Sequence, residues 1–237
     1  MGGVVSGVPH DGGMATTRKK KAAVAGARRP EVRLPPLEGY EGGIAPDGDY
    51  DGLELAGLDL AGQSGEGARF LDCALRECGL DEARLTGARF LDSVLTGVRG
   101  VGTVLAGAQL RDVEVVDARL GGAQLHGAVL ERVVVRGGKS DYLNLRAAKL
   151  KDVVFEGCVL SEPDFGGAVL ERVEFVDCVL TGADFSGARL KDVDLRGVQR
   201  LEIARGVDSL AGAVISTAQL LDLAPVLAAQ LGVRVEE

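Results

Sequence analysis

Apolar residues recur at every fifth position along most of this chain. From Leu55 to Leu195 the fifth residue is Leu, Phe or Val at 26 of 29 positions, and the exceptions are Gly65, Gly100 and Ser140. A period of five matches neither the 3.6-residue α-helix nor the two-residue strand, so the backbone must turn a corner at each repeat. The pattern therefore predicts a solenoid.

A second period, four times as long as the first, sets the number of corners in one turn. Residues 108–115, 128–135, 148–155, 168–175 and 188–195 read AQLRDVEV, AVLERVVV, AKLKDVVF, AVLERVEF and ARLKDVDL. Four five-residue repeats then form one square coil, and residues 20 apart stack on each other. We expect an all-β solenoid of about seven to eight such coils, in which Phe70 lies on Phe90, Phe155 on Phe175, and Phe165 on Phe185.

Charges on the surface follow the same longer period. One column alternates as Arg111, Glu131, Lys151, Glu171 and Lys191, and its neighbour as Asp112, Arg132, Asp152, Arg172 and Asp192. With coils ~4.8 Å apart, opposite charges face each other. A slip by one coil would place like charges in contact, so we interpret this ladder as a device that fixes the register.

One column departs from the apolar pattern. Gly100 and Ser140 occupy equivalent positions two coils apart, where other coils carry Leu. The missing side chains predict a local bend or bulge on that side of the solenoid.

The two ends of the chain lack the repeat. Residues 1–34 include seven basic and two acidic residues, and this composition predicts a disordered basic tail. We expect an acidic, Pro- and Gly-rich linker at residues 35–52 and the solenoid at residues 53–200. A last coil, a helix and a short strand are expected at residues 201–237.

The predicted C-terminal helix begins at Ser216, which has capping-box spacing to Gln219. Because Pro225 lies inside this helix, we expect a kink or two short helices. The short strand is expected at residues 233–235. The helix is amphipathic and either caps the open end of the solenoid or joins two chains. The apolar stripe that would make this contact is Leu220, Leu223, Leu227 and Leu231.

The chain offers little for catalysis. Its two histidines are His10, in the basic tail, and His126, at an outward position beside a corner glycine. The four cysteines follow the repeat and predict buried thiols, although Cys158 and Cys178 lie at a spacing that a disulfide would fit. We predict no enzymatic activity, catalytic residue, cofactor or metal. The absence of a long apolar stretch and of a secretory signal predicts a cytoplasmic protein without a membrane contact.

The repeat small-x-Leu/Phe-x-Gly, as in residues 83–87 and 183–187, resembles the pentapeptide-repeat proteins. That resemblance implies a right-handed quadrilateral β-helix. Solenoid length, the terminal helix and the Gly-Val-Arg-Val tail further resemble the Qnr, MfpA and AlbG subset, above all the loop-free MfpA type. The subset implies a homodimer joined through the C-terminal module that binds DNA gyrase or topoisomerase IV as a partial DNA mimic. Such a protein would give resistance or self-protection against topoisomerase poisons.

Imitation of DNA makes a demand on the distribution of charge. Duplex DNA carries one negative charge per ~1.7 Å, whereas residues 53–199 hold 23 acids and 17 bases. The acids must therefore gather on one side. The strongest candidate, called the acidic face below, consists of Glu54, Glu77, Glu114, Asp117, Glu156, Glu174, Asp177 and Asp194.

Apolar residues also share the acidic face, since Val94, Val134 and Val154 lie in the same column as Glu114. A mixed acidic and apolar surface suits a protein partner better than a pure polyanion does. The alternative function is accordingly a scaffold or adaptor that presents this face to some other protein. Direct binding of nucleic acid is expected of the basic tail alone.

Overall fold

The computed structural model describes residues 1–3 and 24–236, and residues 38–215 form the predicted all-β solenoid. Its strands form one parallel sheet that winds around a central core. The strands are β1 Glu38–Tyr40, β2 Asp49–Asp51, β3 Leu53–Ala56, β4 Arg69–Leu71, β5 Ala74–Arg76, β6 Arg89–Thr96, β7 Arg99–Val101, β8 Gln109–Val116, β9 Arg119–Gly121, β10 Val129–Arg136, β11 Lys139–Asp141, β12 Lys149–Glu156, β13 Val159–Ser161, β14 Val169–Asp184, β15 Arg189–Arg205 and β16 Ala213–Val214. A 3-10 helix at Val207–Ser209 and the helix α1 at Thr217–Gln230 follow.

The core consists of the stacked five-residue positions. Residues 20 apart pair in register, as Leu130 does with Leu110 and Leu150. The predicted aromatic stacks are confirmed, with ring centroids 4.7 Å apart for Phe70–Phe90, 4.9 Å for Phe155–Phe175 and 5.0 Å for Phe165–Phe185. Because every coil adds one layer to the same columns, the core is as long as the solenoid and has no single centre.

The corners of the square require a left-handed backbone. Gly157, for example, has a φ of 65° and a side chain there would meet no other atom. Several corners carry aspartate instead of glycine, such as Asp92 with a φ of 48° and Asp152 with 57°. Asp tolerates this region better than most residues, and its side chain is exposed at Asp92 but buried at Asp152.

The solenoid begins earlier than the sequence predicted. Residues 35–52 were expected to form a linker, but β2 pairs with β4 and Tyr50 stacks on Phe70 with centroids 4.8 Å apart. Tyr50 thus continues a core column. The strand β1 pairs with β3 so that Tyr40 lies against Leu55, which is one five-residue repeat less than a full coil. The first coil is therefore shorter than the others, which hides its repeat in the sequence.

The last coil contains a local shift of register. Leu201 pairs with Leu180, one position beyond the regular partner, whereas Ala183 pairs with Ile203 and Val193 with Ala213 at the regular spacing. Within the shifted stretch of β15, Leu201 rather than Arg200 continues the apolar column. The arginine stays at the surface.

The helix α1 closes the end of the solenoid. Its predicted capping box is confirmed, because the Ser216 hydroxyl accepts from the Gln219 backbone N–H at 3.2 Å and the Gln219 side chain accepts from the Ser216 N–H. The same Gln219 amide donates to the carbonyls of Leu195 and Val198 at 2.8 and 2.9 Å. One side chain therefore caps the helix and bonds it to the last coil.

Two details of the C-terminus differ from the prediction. Helix α1 runs unbroken through Pro225, which is exposed, so the carbonyl left without a donor faces solvent. Residues 233–235 do not form a strand within the described chain. Instead the N–H groups of Gly232 and Val233 bond to the carbonyls of Ala229 and Ala228, the pattern of a Schellman cap.

The column of Gly100 and Ser140 does not bulge, contrary to the prediction. Gly100 pairs with Leu120, and Ser140 pairs with Leu120 and Leu160, all in register. At Gly100 the space of a side chain is taken by Thr103 and the Leu80 backbone, whereas Ser140 borders a cavity of about 90 Å³ inside the solenoid, whose other described lining residues are Leu, Val and Phe. Continuous backbone hydrogen bonds hold the coil against collapse.

Candidate interaction face

Strand register brings most of the predicted acidic face together. Pairing links Glu54, Ala74, Val94, Glu114, Val134, Val154, Glu174 and Asp194 into one outward column. Glu156 lies two residues further along its strand, and Glu77, Asp117 and Asp177 lie at the adjoining corner. The eight acids therefore share one side of the solenoid.

Arginines interleave with these acids. Five of the eight acids lie within 4.0 Å of an arginine nitrogen of the solenoid, and the distances are 2.6 Å for Glu54–Arg76, 4.0 Å for Glu77–Arg99, 2.9 Å for Glu114–Arg136, 3.2 Å for Glu156–Arg136 and 2.6 Å for Asp194–Arg196. The acidic face thus carries alternating charge along most of its length. It is not an unbroken line of negative charge of the kind that DNA presents.

The valines of the acidic face are covered. Val134 and Val154 point outward by strand alternation, yet they are only 1% and 0% exposed. Outward valines elsewhere on the solenoid are far more accessible, for example Val129 at 39% and Val159 at 37%. Some part of the chain outside the coils must therefore lie over Val134 and Val154.

That part is residues 24–37, called the N-terminal segment below. The Ala27 N–H donates to Glu174 Oε1 at 2.7 Å, and the Arg28 N–H donates to Asp152 Oδ1 at 3.2 Å. Arg29 Nη1 donates to Glu156 Oε2 at 3.3 Å, and Pro30 is buried. The prediction of a disordered tail is wrong for these residues, because carboxylates of the solenoid hold them. Residues 4–23, with the rest of that tail, lie outside the described part of the chain.

Asp152 connects the N-terminal segment to the charge ladder. Its carboxylate accepts a bidentate pair from Arg172 at 2.6 and 2.9 Å, and Arg28 Nε donates to it at 3.2 Å. The hydrogen bonds from Arg172, and next those from Arg28, hold the pKa of Asp152 well below its usual range against the opposing effect of burial. Asp152 is thus a charged carboxylate between two arginines.

The equivalent position two coils earlier shows what the N-terminal segment adds. Asp112 accepts a bidentate pair from Arg132 at 2.6 Å for both bonds, as the ladder predicted. The Asp112 side chain is 19% exposed, whereas that of Asp152 is 0% exposed. Asp152 has the contact with Arg28 in addition, and Asp112 has no counterpart of it among the described residues.

The ladder has one unfavourable stretch. Asp72, Asp92 and Asp112 occupy the same corner in three successive coils. Burial, and next the charges of Asp112 and Asp72, raise the pKa of Asp92. The folded protein therefore resists ionisation of this carboxyl.

The C-terminal stripe divides into two parts. Leu223 is buried at 2% exposure and Leu227 packs partly against the core, so these two leucines cap the solenoid. Leu220 and Leu231 are exposed, and so is Leu221, which the sequence analysis did not select. The exposed leucines leave an apolar surface at the end of the rod.

Within residues 1–3 and 24–236, His, Cys, Asp and Glu do not gather in any group of three that could hold a metal ion. His126 is exposed, and Cys73, Cys78, Cys158 and Cys178 are buried free thiols. None of the helices in the described chain is long and apolar enough to cross a membrane.

These features define a parallel β-helix that holds an extended segment of its own chain against one side. Two models of pentapeptide repeats match the chain, over residues 78–115 and 155–199. The repeats that the resemblance implied are confirmed in these two stretches, and the solenoid matches a pentapeptide-repeat β-helix with a helical cap.

Several solved structures show a weak similarity to the chain. A trypsin-treated form of QnrB1, a plasmid-mediated fluoroquinolone resistance protein, is 18% identical, with a TM-score of 0.47 over 85% of this chain and 100% of that chain. Full-length QnrB1 is 16% identical, with a TM-score of 0.33 over 78% and 100%. HetL of the cyanobacterium Nostoc sp. strain PCC 7120, involved in heterocyst differentiation regulation, is 21% identical, with a TM-score of 0.29 over 71% and 90%. A comparison with curated proteins gave no match.

Proposed function

We propose that this protein is a cytoplasmic, non-enzymatic binding protein that recognises another protein through the acidic face. The observation that supports this most is the contact between that face and the N-terminal segment. Carboxylates of two adjacent coils already hold an extended polypeptide there, through Glu174, Asp152 and Glu156. A surface that binds backbone N–H groups and arginines is suited to a protein partner rather than to a nucleic acid.

DNA gyrase or topoisomerase IV is the partner that we propose. An enzyme that binds DNA must present a basic surface to a dense line of phosphates, and an acidic, partly apolar face complements such a surface. Since arginines pair with most of the acids, imitation of DNA would be partial. In this role the protein would confer resistance or self-protection against topoisomerase poisons.

A supercoiling assay with purified gyrase, with and without a fluoroquinolone, tests this function. The protein should inhibit supercoiling or restore it in the presence of the drug. Replacing Glu114, Glu174 and Asp194 by lysine should abolish either effect, because the charge of the acidic face is reversed. As a matched control, the same change at Glu66, Glu82 and Glu162, on other sides of the coil, should preserve it. An inactive wild-type protein at micromolar concentration would refute the proposal.

If the acidic face serves a scaffold or adaptor instead, gyrase will be unaffected and the protein will bind a different partner. The pairing of acids with arginines favours this second function, since a scaffold needs no polyanionic surface. A partner that the lysine triple variant fails to bind, with gyrase unaffected, would establish it.

We also propose that the exposed leucines of the C-terminus join two copies of the chain. Leu231 is 79% exposed and can accept a charge without disturbing the core. Leu231→Asp should therefore convert a dimer into a monomer in analytical ultracentrifugation while leaving the β-sheet signal in circular dichroism intact. A wild-type monomer, or a variant that stays dimeric, would show that α1 serves only as a cap.

A further inference from the structure

The N-terminal segment runs along the acidic face in an extended conformation. Arg29 bonds to Glu156, while Glu38 pairs with Leu53 near the start of the solenoid. Register places Glu156 five coils from Ala56, through positions 136, 116, 96 and 76. Because β1 lies one strand beyond β3, six coil spacings of ~4.8 Å, or about 29 Å, separate Glu38 from the coil of Glu156, and nine residues at ~3.3 Å each can span about 30 Å. The chain between these contacts must be nearly straight.

The direction of the segment rules out strand addition as the way it is held. The segment travels along the axis of the solenoid, whereas the strands lie across that axis. Its backbone N–H groups at Ala27 and Arg28 donate to side-chain carboxylates rather than to the carbonyls of a strand. The acidic face therefore recognises the segment through side chains that project from successive coils.

The chemistry of the contact is selective. Two adjacent arginines, Arg28 and Arg29, reach two carboxylates from one coil, Asp152 and Glu156. The next residue, Pro30, is buried and has no N–H group that would need a partner. An extended basic pair followed by proline satisfies the carboxylates and covers the valines at the same time.

We propose that the acidic face is a binding site for an extended peptide with two adjacent arginines followed by proline. Residues 24–37 occupy the site in the free protein, and a partner segment of the same chemistry displaces them. This inference deepens the proposed function and rests on it for the identity of the face. The acidic face of the free protein is then covered, a state called closed below, because residues 24–37 compete with every partner for it.

Peptide binding to the full-length chain tests this inference. Arg28→Glu combined with Arg29→Glu should release the N-terminal segment and leave every residue of the acidic face in place. The probe is a fluorescein-labelled peptide of residues 24–37, followed by fluorescence anisotropy. It should bind the double variant at least about tenfold more tightly than the wild type, whose tethered segment competes at a millimolar effective concentration.

Two controls separate this contact from general attraction of charge. Arg33→Glu reverses one charge in the same segment, at an exposed residue without an ion pair to the described chain, and should behave as the wild type. A probe peptide with glutamate at both arginine positions should not bind the double variant. Equal affinity for wild type and double variant, or equal binding of both peptides, would overturn the proposal.

A second readout reports the closed state directly. Val134→Cys introduces a thiol under the N-terminal segment, and the four natural cysteines are at most 2% exposed. An uncharged maleimide should modify this thiol at least tenfold faster when Arg28 and Arg29 are also replaced by glutamate. An unchanged rate would show that the segment does not close the face. If the introduced thiol reacts faster but the labelled peptide does not bind, the acidic face holds only the tethered N-terminal segment. That result would refute the proposed binding of a partner segment. Neither readout involves gyrase, so each stands whatever the supercoiling assay shows.

Discussion

Filling the internal cavity should stabilise the solenoid. Ser140 occupies a column whose neighbours in the adjoining coils are Leu120 and Leu160, and the cavity beside it has a volume of about 90 Å³. At roughly 24 cal/mol per Å³ of cavity, complete filling is worth about 2 kcal/mol. Because leucine continues the column in a backbone already suited to it, Ser140→Leu should raise the free energy of unfolding by about 1–2 kcal/mol.

Equilibrium unfolding in urea, followed by circular dichroism, measures this gain. The midpoint should rise while the slope with denaturant stays constant, since the surface exposed on unfolding barely changes. Thr86→Leu, at an exposed outward position, is the control and should stay within about 0.5 kcal/mol of the wild type. A midpoint for Ser140→Leu at or below that of the wild type would mean that the coil cannot accept the side chain and that the cavity is not a packing defect.

Three further predictions follow from single residues. Asp92→Asn should raise the free energy of unfolding by about 0.5 kcal/mol at pH 7, after allowance for solvent screening. Because the folded-state pKa of Asp92 is raised, this gain should vanish below about pH 4. A gain that does not depend on pH would contradict the charge argument. Leu223→Ala should weaken the docking of α1 by about 2–4 kcal/mol, seen as faster amide exchange in α1, whereas exposed Leu221→Ala should leave exchange unchanged. Gly157→Ala should cost about 1 kcal/mol for its left-handed backbone, but Gly206→Ala, whose side chain would overlap the Phe185 and Ser186 backbone, should disrupt the last coil in the same urea assay.

The parts of the fold that the sequence predicted are those that repeat. A side chain that recurs once per coil meets its own copy in the next coil, so the position of Phe90 on Phe70 required no knowledge of distant contacts. The capping box at Ser216 is local in the same sense. Both predictions depend on interactions between residues whose spacing alone determines where they meet.

The predictions from sequence are wrong where the spacing of the repeat changes. Tyr50 lies one full coil before Phe70 and belongs to its column, but the short first coil surrounds it with proline and glycine that resemble a linker. In the last coil a local register shift places Leu201 instead of Arg200 against the core. An apolar residue one place beyond the expected position was the available signal.

The N-terminal segment was not predictable from a pattern, because it has no repeat and its contacts, such as Arg28 with Asp152 and Arg29 with Glu156, join distant parts of the chain. Two features of the sequence are consistent with this contact. The tail is basic while the rest of the chain is acidic, and Val134 and Val154 place bare apolar side chains on an outward column. Opposite charge and unpaired apolar surface together indicate that the two parts associate, although they do not give the register.

A regular solenoid separates stability from recognition. Its core is formed by inward positions that repeat in every coil, so outward substitutions change the surface with little effect on the fold. Specific recognition then has to come from places where one coil differs from the next. On the acidic face, the coils around Asp152 combine two outward valines, an acid at the corner and a second acid on the strand. This combination occurs where the N-terminal segment is held, and it distinguishes the occupied part of the acidic face from the coils on either side of it.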